Sequence, residues 1–365
     1  MKIKSVCSIL NDWCPPSNAE DFDNVGLLVG NPEIECTGVL ISLDTTIAII
    51  EEAIEKQCNF IVGFHPIIFS GLKKLTPDSY IQKTIIKAIE HKIAIYAIHT
   101  ALDNHKDGVS QTMAKKIGLH HTKVFIPQKG NLLKLNTYVP HQHSEKVLAA
   151  LHHAGAGKIG DYDQCSFTSH GTGRFRGNQQ SHPAIGIPQE KSNVSETQIQ
   201  IVFHKQYHRQ IINALIESHP YEEVAYEVYN LENPSHETGL GIIGSFKEPI
   251  SENDFLQLLK TKFQSPMIRH SQLLNKNIQH VVLIGGSGSF AIEHLTRAKV
   301  DAFVTADLKY HHFFQAENKM LFCDIGHYES EQFTQNLIYD FLTTKLSNFA
   351  VHLSKIRTNP VYYFL

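Results

Sequence analysis

The chain has 365 residues, 42% hydrophobic and 19% charged, which is the balance of a folded protein of two to three domains and excludes a disordered one. Lys and Arg number 33 against 36 Asp and Glu, for a net charge of -3, which argues against a basic surface for nucleic-acid polymers and against a polybasic membrane anchor. No apolar run approaches the ~18 residues that span a bilayer, the N-terminus lacks a signal-peptide pattern, and the six cysteines form no CxxC pair. The chain is therefore expected in the cytoplasm, with buried or idle thiols and no membrane partner.

Residues 38–44, GVLISLD, predict a strand that ends in Asp44-Thr45-Thr46, which offers N-cap chemistry to the helix that follows. Ile47, Ile50 and Ile54 are expected to form that helix's buried stripe. A second strand at 59–63 ends at Phe64-His65-Pro66, a helix covers 81–91, and a third strand at 92–98 ends at His99-Thr100-Ala101-Leu102-Asp103. This alternation favours a mostly parallel sheet with helices on both faces. The middle of the chain reads differently. A strand-like stretch from about Asn131, a helix at 144–155, a Gly-rich aromatic region at 165–177, an alternating strand at 197–204, a helix at 206–219 and a strand at 222–231 together suggest a ferredoxin-like α+β unit. The polar text of 178–196 is read as a loop. The first style then returns, with strands at 280–286, 301–307 and 320–326, a helix over Phe290–Arg297, and a long helix from Tyr328 to Lys345. The expected organisation is α/β, one discontinuous domain of residues 1–127 and 236–365 that carries an inserted domain at 130–233.

His65, Asp103, His327 and Glu331 all stand just past strand ends, where open parallel sheets place their ligands. His327 and Glu331 are four apart at a helix start and share one face. Two imidazoles and two carboxylates suit Zn, Fe or Mn, and a carboxylate can bridge two ions. The same residues also fit a plainer reading: a strand-end polar residue, a turn former and a solvated helix face. Gly285-Gly286-Ser287-Gly288 fits either an anion cradle or a tight strand-to-helix turn. Asp307, His311 and His312 follow another strand end and are candidates for the same crevice; Tyr328 fits either a substrate contact or a packed rim residue. No Gly-x-Ser-x-Gly elbow is present, which removes acyl-enzyme chemistry.

The strings Asn24–Gly30, Asp44-Thr45-Thr46, His65-Pro66-Ile67-Ile68-Phe69 and Tyr96–Asp103, followed by Gly285–Gly288, Thr305–His311, Asp324–Glu331 and Thr358-Asn359-Pro360, resemble in order the GTP cyclohydrolase 1 type 2 homolog family, the NIF-three-like family. Residues 155–160, 165–173 and 219–223 are similar to the CutA/PII-like insert of its longer members. The resemblance implies a NIF-three-like α/β fold, up to two divalent metal cations per subunit held by His65, Asp103, His327 and Glu331 with one carboxylate shared, and assembly as a toroidal homohexamer. It also implies a metal-dependent hydrolase of a small molecule or nucleotide, although no base-recognition motif is readable; the alternative is a non-catalytic metal-binding regulatory or scaffold oligomer, with a small-molecule ligand open in either case. The chain departs from the family at Phe64, where the motif carries a second histidine. Phe cannot coordinate a metal, so one tight site and one weak or empty site are expected. His99 is expected to support the ligands, to shuttle a proton or to substitute for the missing imidazole.

Overall fold

The protein is described by a computed structural model that covers residues 1–296 and 298–364. Two compact units are present, one formed by residues 1–127 and 237–365, the other by 128–236. The strands in chain order are Gly26–Val29 (β1), Val39–Ser42 (β2), Phe60–Gly63 (β3), Ala94–Ala97 (β4), His120–Gln128 (β5), Leu132–Pro140 (β6), Phe167–Phe175 (β7), Ser192–His204 (β8), Tyr226–Asn230 (β9), Ser235–Ser251 (β10), Arg269–His270 (β11), Asn277–Ser287 (β12), Ala302–Ala306 (β13), Leu321–Asp324 (β14) and Val351–Leu353 (β15).

The larger unit is α/β and contains two sheets. The first has the order β1-β4-β3-β2-β15, parallel throughout except for the antiparallel edge strand β1. Every residue of β2, β3 and β4 is buried, as expected for strands covered on both faces. Their alternation divides two cores. Val39, Ile41, Phe60, Val62 and Tyr96 face helices Ile3–Trp13 and Thr334–Lys345, whereas Leu40, Ile61 and Ile95 face helices Ile47–Glu55 and Tyr80–Glu90. The second sheet, β11-β14-β13-β12-β10-β5, is mixed: β12, β13 and β14 run parallel, and β10 and β11 flank them antiparallel. The carboxyl ends of β2, β3 and β4 in one sheet, and of β12, β13 and β14 in the other, carry the chain into the loops that build the site.

The smaller unit runs strand, helix, strand, strand, helix, strand. Its sheet order β7-β8-β6-β9 is antiparallel at every step, the ferredoxin-like arrangement. Leu135, Val139, Ile199, Ile201 and Phe203 from the sheet pack on Val147 and Leu151 of helix Ser144–His153 and on Ile211 and Leu215 of helix His208–Ser218.

Five expectations change. In helix Ile47–Glu55 the buried positions are Ile49, Ile50 and Ala53, and Ile54 is 37% exposed; the stripe is rotated because Ile49 gives the same period on a face that meets the sheet. Asp44 caps nothing, since Thr46 holds the N-cap position and no side chain bonds there. The helix expected over 328–345 is two helices, His327–Glu331 and Thr334–Lys345, broken where the Asn336 N–H closes a tight turn on the Phe333 carbonyl at 3.1 Å. β7 and the start of β8 take up most of the Gly-rich region and the end of the expected loop at 178–196. The expected helix Phe290–Arg297 is helical over Ser289–Leu295, and Arg297 lies outside the described residues.

The rotated helix face has a direct test. Ile49→Ala should cost about 2–5 kcal/mol of stability by leaving a cavity, and Ile54→Ala less than about 0.5 kcal/mol. Chemical denaturation of the two variants decides it; equal losses would restore the original stripe.

Candidate metal centre

His65 leaves the carboxyl end of β3, and its Nδ1 lies 2.8 Å from Asp44 Oδ1, just past β2. The Thr358 hydroxyl donates to the other Asp44 oxygen. His327 opens the helix after β14 and sets its Nδ1 2.6 Å from Asp307 Oδ2. Asp307 sits in the turn after β13 with φ +56°, a backbone conformation that Asp tolerates better than most residues. The Leu308 N–H donates to Asp324 Oδ2 at 2.9 Å and pins that turn. Each imidazole therefore turns Nδ1 toward a carboxylate and Nε2 inward.

Glu331, one helical turn after His327, is 3% exposed and waits at the centre. Both Nε2 atoms stand 3.1 Å from Glu331 Oε2. These are ion-pair distances without hydrogen-bond direction: His65 Nε2 and Glu331 Oε2 are buried and have no hydrogen-bond partner among the described residues. Ligand atoms of His65, His327 and Glu331 all lie within 4.8 Å of one another. Gly286, at the end of β12, makes room for the carboxylate. A Cβ there would stand 2.3 Å from Glu331 Oε1, and the backbone adopts φ +61°. The Gly286 N–H donates to Ser330 Oγ at 2.9 Å, which ties the turn to the same helix.

The electrostatics follow from this packing. Burial opposes charge on Glu331, but His327 and His65 outweigh it and pull the carboxyl down to about 2. Burial likewise opposes the two imidazoliums, yet their hydrogen-bonded carboxylates raise His65 to about 10 and His327 to about 11. Buried negative charge thus demands cations, and without a metal the imidazoles supply them as protons. Two imidazole nitrogens, each with its Nδ1 held by a carboxylate, and one carboxylate oxygen form a donor set that could hold a divalent ion.

Asp103 ends the short helix His99–Asp103 and stands outside the 4.8 Å cluster. Burial and the neighbouring Glu331 charge raise its pKa well above the ordinary carboxyl value, against the influence of His65. His99 is a third imidazole backed by a carboxylate, its Nδ1 2.8 Å from Asp23 Oδ1. Burial alone would raise Asp23, but its bonds to His99 and Thr100 bring it down to about 2. The His99 ring centre lies 5.2 Å from that of His65. Phe64 is fully buried beside both, 4.9 Å from the His65 ring and edge-on to His99 at 5.5 Å.

Of the other candidates, Asp307 joins the site through His327. His312 accepts the Lys309 N–H at 3.1 Å, and His311 meets exposed Tyr310 edge-on and stacks with exposed Phe314; no contact among the described residues places either in the cluster. Tyr328 packs against the first core under the Arg357 guanidinium, at 5.3 Å. The Gly285–Gly288 string contributes Gly286 as the seat of Glu331. Asp23, and the bond that Asp44 makes to His65, had no signal in the text beyond their residue type.

The chain matches the family model Duf34/NIF3 (NGG1p interacting factor 3) over residues 1–360. It is 34% identical to a Bacillus subtilis protein named GTP cyclohydrolase 1 type 2 homolog, over 98% of this chain and 97% of the relative. Among solved structures, a Bacillus cereus protein related to NIF3 superposes with a TM-score of 0.86 at 32% identity, covering 100% of this chain and 99% of that one. A Staphylococcus aureus protein gives 0.78 at 30% identity, over 100% and 99%.

Two tests follow from the geometry. Asp44→Asn removes the charge that orients His65 and should weaken Zn²⁺ binding ~10–100-fold while the fold persists; unchanged affinity in a competition titration would remove Asp44 from the site. The raised imidazole values also set a pH dependence. In the metal-free protein the imidazolium pairs stabilise the fold below the ordinary His value and are lost as pH rises through about 10 and 11. Zn²⁺ must displace those protons, so its affinity should rise steadily from pH 6 to pH 9, with proton release in calorimetry; an affinity flat with pH would contradict the assignment.

Proposed function

The chain belongs to the Duf34/NIF3 family, and from that premise we propose that it is a metal-dependent hydrolase of a small molecule or nucleotide, with His65, His327 and Glu331 as the principal ligands and Asp103 beside them. The observation that carries this reading is the convergence of His65 Nε2, His327 Nε2 and Glu331 Oε2, two of them buried without a hydrogen-bond partner, on one point. A divalent cation held there supplies Lewis acidity and lowers the pKa of water toward ~7. Asp44 and Asp307 keep the two imidazoles in the tautomer that offers Nε2. His99, with Nδ1 committed to Asp23, keeps Nε2 free to accept a proton beside the cluster. The relative's printed name supports GTP as one candidate substrate.

Phe64 favours a second reading. A buried phenyl ring stands against His65 and His99 where a further imidazole would add a ligand, so we expect one tight ion per subunit. In that reading the protein is a non-catalytic metal-binding oligomer. We also propose a homohexamer; light scattering should give six times the chain mass, and a monomer would overturn that.

Elemental analysis of protein purified without added metal should give about one equivalent per subunit, rising toward two in Phe64→His; about two equivalents in the unchanged protein would overturn the single-site expectation. Metal-loaded protein should hydrolyse at least one member of a nucleotide panel, GTP included, and Glu331→Ala should abolish that turnover while remaining folded. Absence of metal-dependent turnover across the panel would favour the non-catalytic reading.

A further inference from the structure

The inserted unit has a cleft of about 630 Å³ of its own, walled by β7, by Glu196 of β8 and by the chain around Tyr221. Pockets of this size take small organic ligands. Ile199, Ile201 and Phe203 of β8 face the helices, so Glu196 stands on the opposite, helix-free face, together with Gln198 and Gln200. A carboxylate on such a face is ordinarily solvated, yet Glu196 is only 8% exposed. The Tyr221 hydroxyl donates to Oε1 at 2.7 Å. Among the described residues no other group hydrogen-bonds to this carboxylate, and no Lys, Arg or His forms an ion pair with it. The backbone is shaped to admit it, since a Cβ on Gly173 would stand 2.0 Å from Oε2.

A buried carboxylate without a cation is costly, and a ligand that brings a cation relieves that cost. The rest of the cleft defines the remainder of the molecule. Arg176, just past the end of β7, lines it from an exposed position. The Arg176 Nε donates to the Gln189 carbonyl at 2.7 Å, which sets the side chain and leaves its terminal nitrogens available. Guanidinium groups suit carboxylate or phosphate oxygens. Phe175 and Pro183 supply an apolar wall.

We propose that this cleft binds a zwitterionic molecule of amino-acid to dipeptide size, its ammonium group on Glu196, its carboxylate on Arg176, and an apolar side chain against Phe175. Every residue that lines the cleft belongs to the inserted unit.

The test is calorimetric titration of the metal-stripped full chain with the apolar and aromatic L-amino acids and their homodipeptides. At least one should bind saturably at one per subunit, and which of the two sizes binds identifies the occupant. The matching deaminated acid and decarboxylated amine should each bind at least 10-fold more weakly. Glu196→Gln keeps an acceptor for Tyr221 and should weaken binding at least 10-fold with an unchanged thermal midpoint. Arg176→Ala, which removes only an exposed side chain, should do the same. Absence of saturable binding by every probe, equal binding of the one-ended analogues, or full affinity in both variants would overturn the proposal.

Discussion

The larger unit depends on one electrostatic problem, the burial of the Glu331 carboxylate between two imidazoles. A carboxylate taken out of water is tolerated only if positive charge meets it at close range. Here that charge arrives from two sheets. His65 comes from the first, His327 from the second, and both Nε2 atoms reach the same Glu331 oxygen at 3.1 Å. A metal ion would meet the same need with better geometry, because it would displace the Nε2 protons and bind the lone pairs beneath them, which point at one place. Gly286 belongs to this constraint, since any side chain there would occupy the carboxylate's place.

The surrounding residues keep those lone pairs aimed. Asp44, Asp307 and Asp23 each hold one imidazole by Nδ1, so the same device occurs three times around the crevice. Only two of the three imidazoles meet Glu331 in the cluster; His99 stays one ring away, with Phe64 packed edge-on against it. That separation leaves His65 and His327 as the two imidazoles able to share an ion with Glu331.

Local pattern made much of the framework legible. Runs of four fully buried residues in β2, β3 and β4 follow from apolar, β-branched text, and the helices between them follow from a period near 3.6. Period alone did not choose the face of helix Ile47–Glu55, because Ile49 and Ile54 offer competing stripes and only the sheet decides between them. The supports of the site were illegible for a different reason. Asp44 is 21 residues from His65, Asp307 is 20 from His327, and Asp23 is 76 from His99. Such pairings depend on which strand ends become neighbours, which no local window contains. Asp44 read as a helix cap because the residue types that cap helices also anchor imidazoles. Glu331 and His327 were easier, since four-residue spacing on a helix places them on one face whatever the rest of the chain does.

The central claim is that His65, His327 and Glu331 hold one divalent ion through two nitrogens and an oxygen. Zinc K-edge X-ray absorption on protein loaded with a single equivalent of Zn²⁺ addresses it most directly. The account predicts a shell with two imidazole nitrogens at about 2.0–2.1 Å and oxygen at about 2.0–2.2 Å, with the outer scattering of two imidazole rings. A shell of oxygens alone, without imidazole scattering, would contradict it.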